Sequence, residues 1–161
     1  MKGRVQANIG ISEEHKQLIA NDMQKVLADE VVLYIKTRNY HWNIEGDNFM
    51  ELHKLYQKMY EQMEEFIDDT AERIRTIGHY AQGRLKDFIQ QTQLVEQDYT
   101  NEQQDQFRNL LDDHETIIRY LRQLVDKFAD EYGDAGNADY LTGLMEEHEK
   151  LAWFLRNYIQ K

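Results

Sequence analysis

At 161 residues, with 41% apolar and 30% charged positions, the chain has the length and composition of one soluble domain with a sizeable core. It holds no cysteine, which excludes disulfides, thiolate metal ligands and cysteine nucleophiles, and no proline, which fits long uninterrupted helices. With 30 acidic against 19 basic residues, the formal charge of −11 repels nucleic acid on average and attracts cations.

No apolar run is long enough to span a bilayer, so no membrane role is expected. Met1 to Gly10 carries two basic residues but no apolar stretch of signal-peptide length, and a cytoplasmic location is expected.

A first helix, about 12–43, starts where Ser12 can cap it and Glu13 and Glu14 sit at the positive end of its dipole. Ile19, Met23, Val26, Leu27, Val31, Tyr34 and Ile35 give it an apolar stripe that ends at Asn43 to Gly46. A second helix, about 48–78, opens at Asp47 or Asn48, carries Leu52, Tyr56, Met59, Met63, Phe66, Ile74 and Ile77, and closes at Gly78. The less regular stretch that follows holds a short amphipathic helix, about 84–91, around Leu85, Phe88 and Ile89.

A third long helix, about 101–132, shows the clearest stripe, from Phe107 through Ile117 and Leu121 to Phe128. A fourth, about 138–160, follows a glycine-containing turn and points Leu141, Leu144, Leu151 and Leu155 inward. His114 and His148 fall on these apolar stripes and read as core hydrogen-bonding residues rather than ligands. Two short turns and one long connection describe an all-α four-helix bundle with a single crossover.

The chemistry gathers in N-Y-H-W-N-I-E-G-D-N-F-M-E-L-H, residues 39–53, and D-D-T-A-E-R, residues 68–73. His53 and Asp68 lie fifteen residues apart on one helix, a rise of ~22 Å, whereas a ligand atom sits about 2 Å from its metal. One subunit therefore cannot close a site from both. Taking His53 as zero, Asp68 projects at roughly 60° and Glu72 at roughly 100°, away from the core stripe at roughly −95°.

Two such helices packed antiparallel about a two-fold axis would set His53 of one copy against Asp68 and Glu72 of the other. His41 would lie beside His53 across the first turn. Two imidazoles and two carboxylates suit Fe²⁺, Mn²⁺ or Zn²⁺. Spacing alone leaves this face open to two readings, a metal site or a solvated acidic surface.

The joint spacing of these two segments resembles that of the Dps proteins, ferritin-like mini-ferritins, and the likeness runs from the first helix to the C-terminal L-A-W-F-L-R-N-Y-I. The resemblance implies a ferritin-like bundle with a short extra helix in the crossover, assembled as a hollow dodecamer. It assigns His41 and His53 of one subunit and Asp68 and Glu72 of its two-fold mate to a ferroxidase site. There iron is oxidised, preferably by hydrogen peroxide, otherwise by oxygen, and the ferric product is stored as mineral. Trp42, Tyr56 and Tyr60 lie near the ligands and either pack an interface or accept oxidising equivalents. Asp130, Asp134 and Asp139 fall where the family has acidic iron-entry pores.

Two positions depart from the family pattern. Gln57 stands four residues after His53, where many members carry another carboxylate. The N-terminal segment offers only Lys2 and Arg4 where DNA-binding members have lysine-rich tails. The alternative function, a DNA-compacting structural protein, is therefore disfavoured.

Overall fold

The computed structural model describes residues 5–159, and all regular structure among them is helical. Helix α1 spans Glu13–Asn43, α2 Phe49–Thr76, α3 Leu85–Gln91, α4 Gln103–Asp126 and α5 Ala135–Tyr158, with a π-helical turn, Lys127–Glu131, extending α4. Lys2 and Arg4, read above as the tail's basic residues, lie outside the described residues.

The helix ends follow local chemistry. The Ser12 side chain accepts a hydrogen bond from the His15 amide and so caps α1. At the end of α2, Gly78 adopts φ +92°, and the amides of Gly78 and His79 return to the carbonyls of Arg75 and Ile74. Only a residue without a Cβ enters that left-handed conformation cheaply, so the glycine fixes where α2 stops.

Helix α5 begins at Ala135, earlier than its apolar stripe suggests. Asp134 accepts from the Asn137 amide at 2.9 Å, drawing Ala135, Gly136 and Asn137 into the first helical turn. Helix α4 begins only at Gln103, after Thr100 and Asn101.

Helices α1 and α2 pack as one hairpin and α4 and α5 as another, with the crossover returning along α1. Between them lies a core that includes Ile19, Met23, Leu33, Leu52, Tyr56, Met59, Met63, Phe107, Leu110, Ile117 and Phe128. Ile35, expected on the inner stripe of α1, is 49% exposed because that stripe turns toward Leu33, Lys36 and Thr37.

Three polar side chains of α1 hold the crossover. Gln24 exchanges hydrogen bonds with the backbone of Gln82, Asp29 accepts from Thr92 and Gln93, and Lys36 donates to the Val95 carbonyl at 2.6 Å. Each satisfies backbone or side-chain groups of a long irregular segment that cannot pair with itself. At the other end of the molecule, Gln103 donates to Glu45 O and Asn48 Oδ1, clamping the α1–α2 turn onto α4. That turn places the two histidines.

Candidate metal centre

His41 occupies the last turn of α1 and His53 the second turn of α2. The turn between them folds α2 back so that the two rings stack, centroids 3.7 Å apart at 19°. His41 Nδ1 lies 2.7 Å from the His53 carbonyl oxygen, and His53 Nδ1 lies 2.9 Å from the His41 carbonyl oxygen. A carbonyl oxygen only accepts, so both Nδ1 atoms donate. With Nδ1 so engaged, the atom of each ring that can offer a lone pair to a metal ion is Nε2.

The surroundings hold this orientation. Tyr60 meets the His41 ring edge-on at 5.2 Å, and Phe49 stacks on the far face of His53 at 5.0 Å. His41 is buried and His53 half-buried, which leaves the pair at the surface of the subunit rather than in its core.

Asp68 and Glu72 are exposed on the later turns of α2, and Asp68 lines an open depression with Glu64, Glu65, Ile67 and Ala71. Among the described residues, no group of three or more histidines and carboxylates is placed to share one ion. A single subunit thus presents a histidine pair and, about 20 Å along the same helix, an acidic pair. Gln57 is exposed, and its amide nitrogen donates to Glu61 Oε1 at 2.7 Å.

Of the three aspartates expected at an entry channel, Asp134 is buried, with Oδ1 accepting from the Asn137 amide and Oδ2 from Asn137 Nδ2. Both of its oxygens accept hydrogen bonds at the first turn of α5, so within the subunit it serves as that helix's cap. Asp130 is exposed on the π-helical turn, and Asp139 lines an open groove with Asp69 and Glu147.

Two features, one beside the histidine pair and one in the bundle core, are not singled out by the sequence reading. Arg38 donates to Tyr34 Oη at 2.7 Å, and its guanidinium lies 4.7 Å from the Tyr60 ring centroid and 5.5 Å from those of Tyr34 and Trp42. The i, i+4 spacing of Tyr34, Arg38 and Trp42 is the signal that reveals it. The other is Glu30, buried on the inner face of α1 beside His148.

The ferritin-like domain family matches residues 20–161. A DNA protection during starvation protein from Porphyromonas gingivalis is 30% identical over 152 residues, covering 94% of this chain and 95% of that protein. The chain belongs to the Dps family of ferritin-like proteins. Another relative, a low temperature-induced protein of Nostoc sp. described as uncharacterised, is 44% identical over 95% of this chain and 86% of its own length.

Among solved structures, a Dps protein from Vibrio cholerae superposes with a TM-score of 0.91 at 28% identity, covering 99% of this chain and 100% of that one. That protein is described as a member of a broad superfamily of ferritin-like diiron-carboxylate proteins. The Dps fold is thus shared along nearly the whole length. No helix of the described residues is long and apolar enough to cross a membrane.

Proposed function

We propose that this Dps protein oxidises Fe²⁺ at sites built between two subunits and stores the ferric product inside a hollow dodecamer, with hydrogen peroxide as the preferred oxidant. The observation that carries this reading is the reciprocal pair of hydrogen bonds from His41 Nδ1 and His53 Nδ1 to each other's backbone carbonyls, which leaves Nε2 as the ligating atom of each ring. The ferritin-like family match and the likeness to a Dps protein described as a ferritin-like diiron-carboxylate protein support the iron chemistry.

Iron here is the substrate. His41 and His53 supply neutral nitrogen donors from one subunit, and Asp68 and Glu72 of a second copy supply anionic oxygens. Oxygen anions favour Fe³⁺ over Fe²⁺ and so ease electron loss from the bound ion. Ligands split between subunits also leave coordination positions for water and oxidant. Consuming Fe²⁺ and peroxide together suppresses hydroxyl-radical formation.

The test is anaerobic Fe²⁺ loading followed by rapid mixing with peroxide or oxygen, for the wild type and for Asp68→Ala. Oxidation faster than in protein-free buffer, lost in Asp68→Ala, supports the reading. A wild type no faster than buffer with either oxidant ends it.

A further inference from the structure

The first turn of α2 carries a sulfur atom one turn before His53. Among the described residues, Met50 is the methionine that solvent reaches, at 56% exposure, whereas Met23, Met59, Met63 and Met145 lie between 0% and 8%. Those four fill the core. Met50 precedes His53 by three residues, a rise of ~4.5 Å and a rotation of roughly 60°, and residues so spaced are neighbours on one helix face. With His53 at zero, it projects at roughly 60°, the same direction as Asp68. The thioether thus stands on the face that carries the proposed ligands.

A leucine would pack a subunit interface as well as this methionine, since the two are close in volume. What sulfur adds is chemistry. A thioether is a nucleophile toward peroxide, and methionine sulfoxide is its two-electron product. The step balances without iron and without a radical: sulfur attacks one peroxide oxygen, the O–O bond breaks, that oxygen stays on sulfur, and the other leaves as water with both protons. Sulfur loses two electrons and peroxide gains two. Peroxide that reaches the histidine pair arrives on the face that holds Met50, and this placement raises the effective concentration of the thioether there. Burial shuts the four core methionines off from the same oxidant.

Resting on the ferroxidase reading for its supply of peroxide, we propose that Met50 is a site of reversible oxidation, a sacrificial thioether that takes excess peroxide at the proposed metal site and spares His41 and His53. The sulfoxide is returned to methionine by methionine sulfoxide reductases, so the side chain can be used again. An oxygenated imidazole has lost its function as a ligand.

The experiment exposes the protein, iron-free and Fe²⁺-loaded, to repeated additions of excess peroxide and follows each methionine and histidine by peptide mass spectrometry. In both arms the Met50 peptide is expected to gain one oxygen atom while the peptides of Met23, Met59, Met63 and Met145 stay unmodified, and methionine sulfoxide reductase is expected to remove it. Met50→Leu keeps the bulk of an exposed side chain. Under repeated cycles of iron and peroxide it is expected to carry several-fold more oxygen on His41 and His53, and to lose Fe²⁺ binding that the wild type retains. Met145→Leu, in the core, is expected to match the wild type. Met50 left unmodified while core methionines gain oxygen, or histidines no more oxidised in Met50→Leu than in the wild type, would overturn the proposal. Those results leave the ferroxidase reading intact, whereas a wild type that oxidises iron no faster than buffer removes that reading and the sparing role with it.

Discussion

Glu30 and His148 meet in the middle of the bundle, Oε1 to Nε2 at 2.7 Å, with both side chains at 0% exposure. His148 Nδ1 faces His114 Nδ1 at 2.8 Å, so a three-residue polar chain links α1, α5 and α4 through the core. Its outer atoms, Glu30 Oε2 and His114 Nε2, have no hydrogen-bond partner. If His148 donates to Glu30 and His114 donates to His148, both outer atoms are acceptors, and no N–H is stranded.

This chain makes stability depend on pH through His114. Burial, reinforced by the neighbouring His148, holds His114 well below the usual histidine range. The unfolded chain then binds a proton more readily than the fold does. His114 costs nothing above the unfolded value of about 6.5, and its share of stability is lost as pH falls below that value. The urea midpoint is expected to decline between pH 7 and pH 5, with a shallower decline in His114→Leu. An equal slope in the two proteins would contradict this assignment.

Lys36 and Asp113 form a second buried pair, Nζ to Oδ2 at 2.5 Å. Burial pushes Asp113 up to about 6, and Lys36 pulls it part of the way back. The sign is opposite to that of His114: ionised Asp113 weighs against the fold above about pH 6, and the cost fades as pH falls toward the unfolded value near 3.9. Lys36→Met strands the carboxylate and releases the crossover at Val95. It is expected to lose about 3–5 kcal/mol at neutral pH, as for other broken buried pairs, and less at pH 5. Urea titration at both pH values reads the difference.

The helices and the crossover were legible because each has a periodic or local signal, whereas the proposed ligand set of His41, His53, Asp68 and Glu72 rests on family resemblance, since spacing alone left a metal site and a solvated acidic face open. The distance from His53 to Asp68 was legible too, since helix rise alone forbids a shared ion within one chain. The reciprocal histidine–carbonyl bonds were not, because they depend on how the turn seats α2 against α1. Gln24, Asp29 and Lys36 carry no pattern either, since each has partners in an irregular segment. Asp134 fell at the pore by family resemblance, and its part in capping α5 became visible only once the start of that helix was placed at Ala135. Glu30 was hidden by its charge, although Met23, Leu27 and Glu30 share helical core spacing.

Gln57 sets the number of irons in this account. Gln57→Asp restores an anionic oxygen four residues from His53 and is expected to raise anaerobic Fe²⁺ binding from one toward two ions per histidine pair. Equilibrium titration checks the count. An unchanged stoichiometry would show that the amide is not what limits it.

Net charge decides the DNA question. At −11 per subunit, few phosphates can be neutralised, and a gel shift at moderate salt is expected to show no retardation. Binding that persists from low to moderate salt would favour the compaction role instead.

The inter-subunit site is tested most directly by mixing two inactive subunits. One carries His41→Ala and His53→Ala; the other carries Asp68→Ala and Glu72→Ala. In a mixed two-fold pair, one site combines all four substitutions and the other keeps all four native ligands. Co-assembled protein is expected to regain peroxide-driven Fe²⁺ oxidation, with half of the native sites in each mixed pair, while each parent alone stays inactive. Co-assembly without any recovery, or activity retained by either parent, would contradict a site shared between subunits.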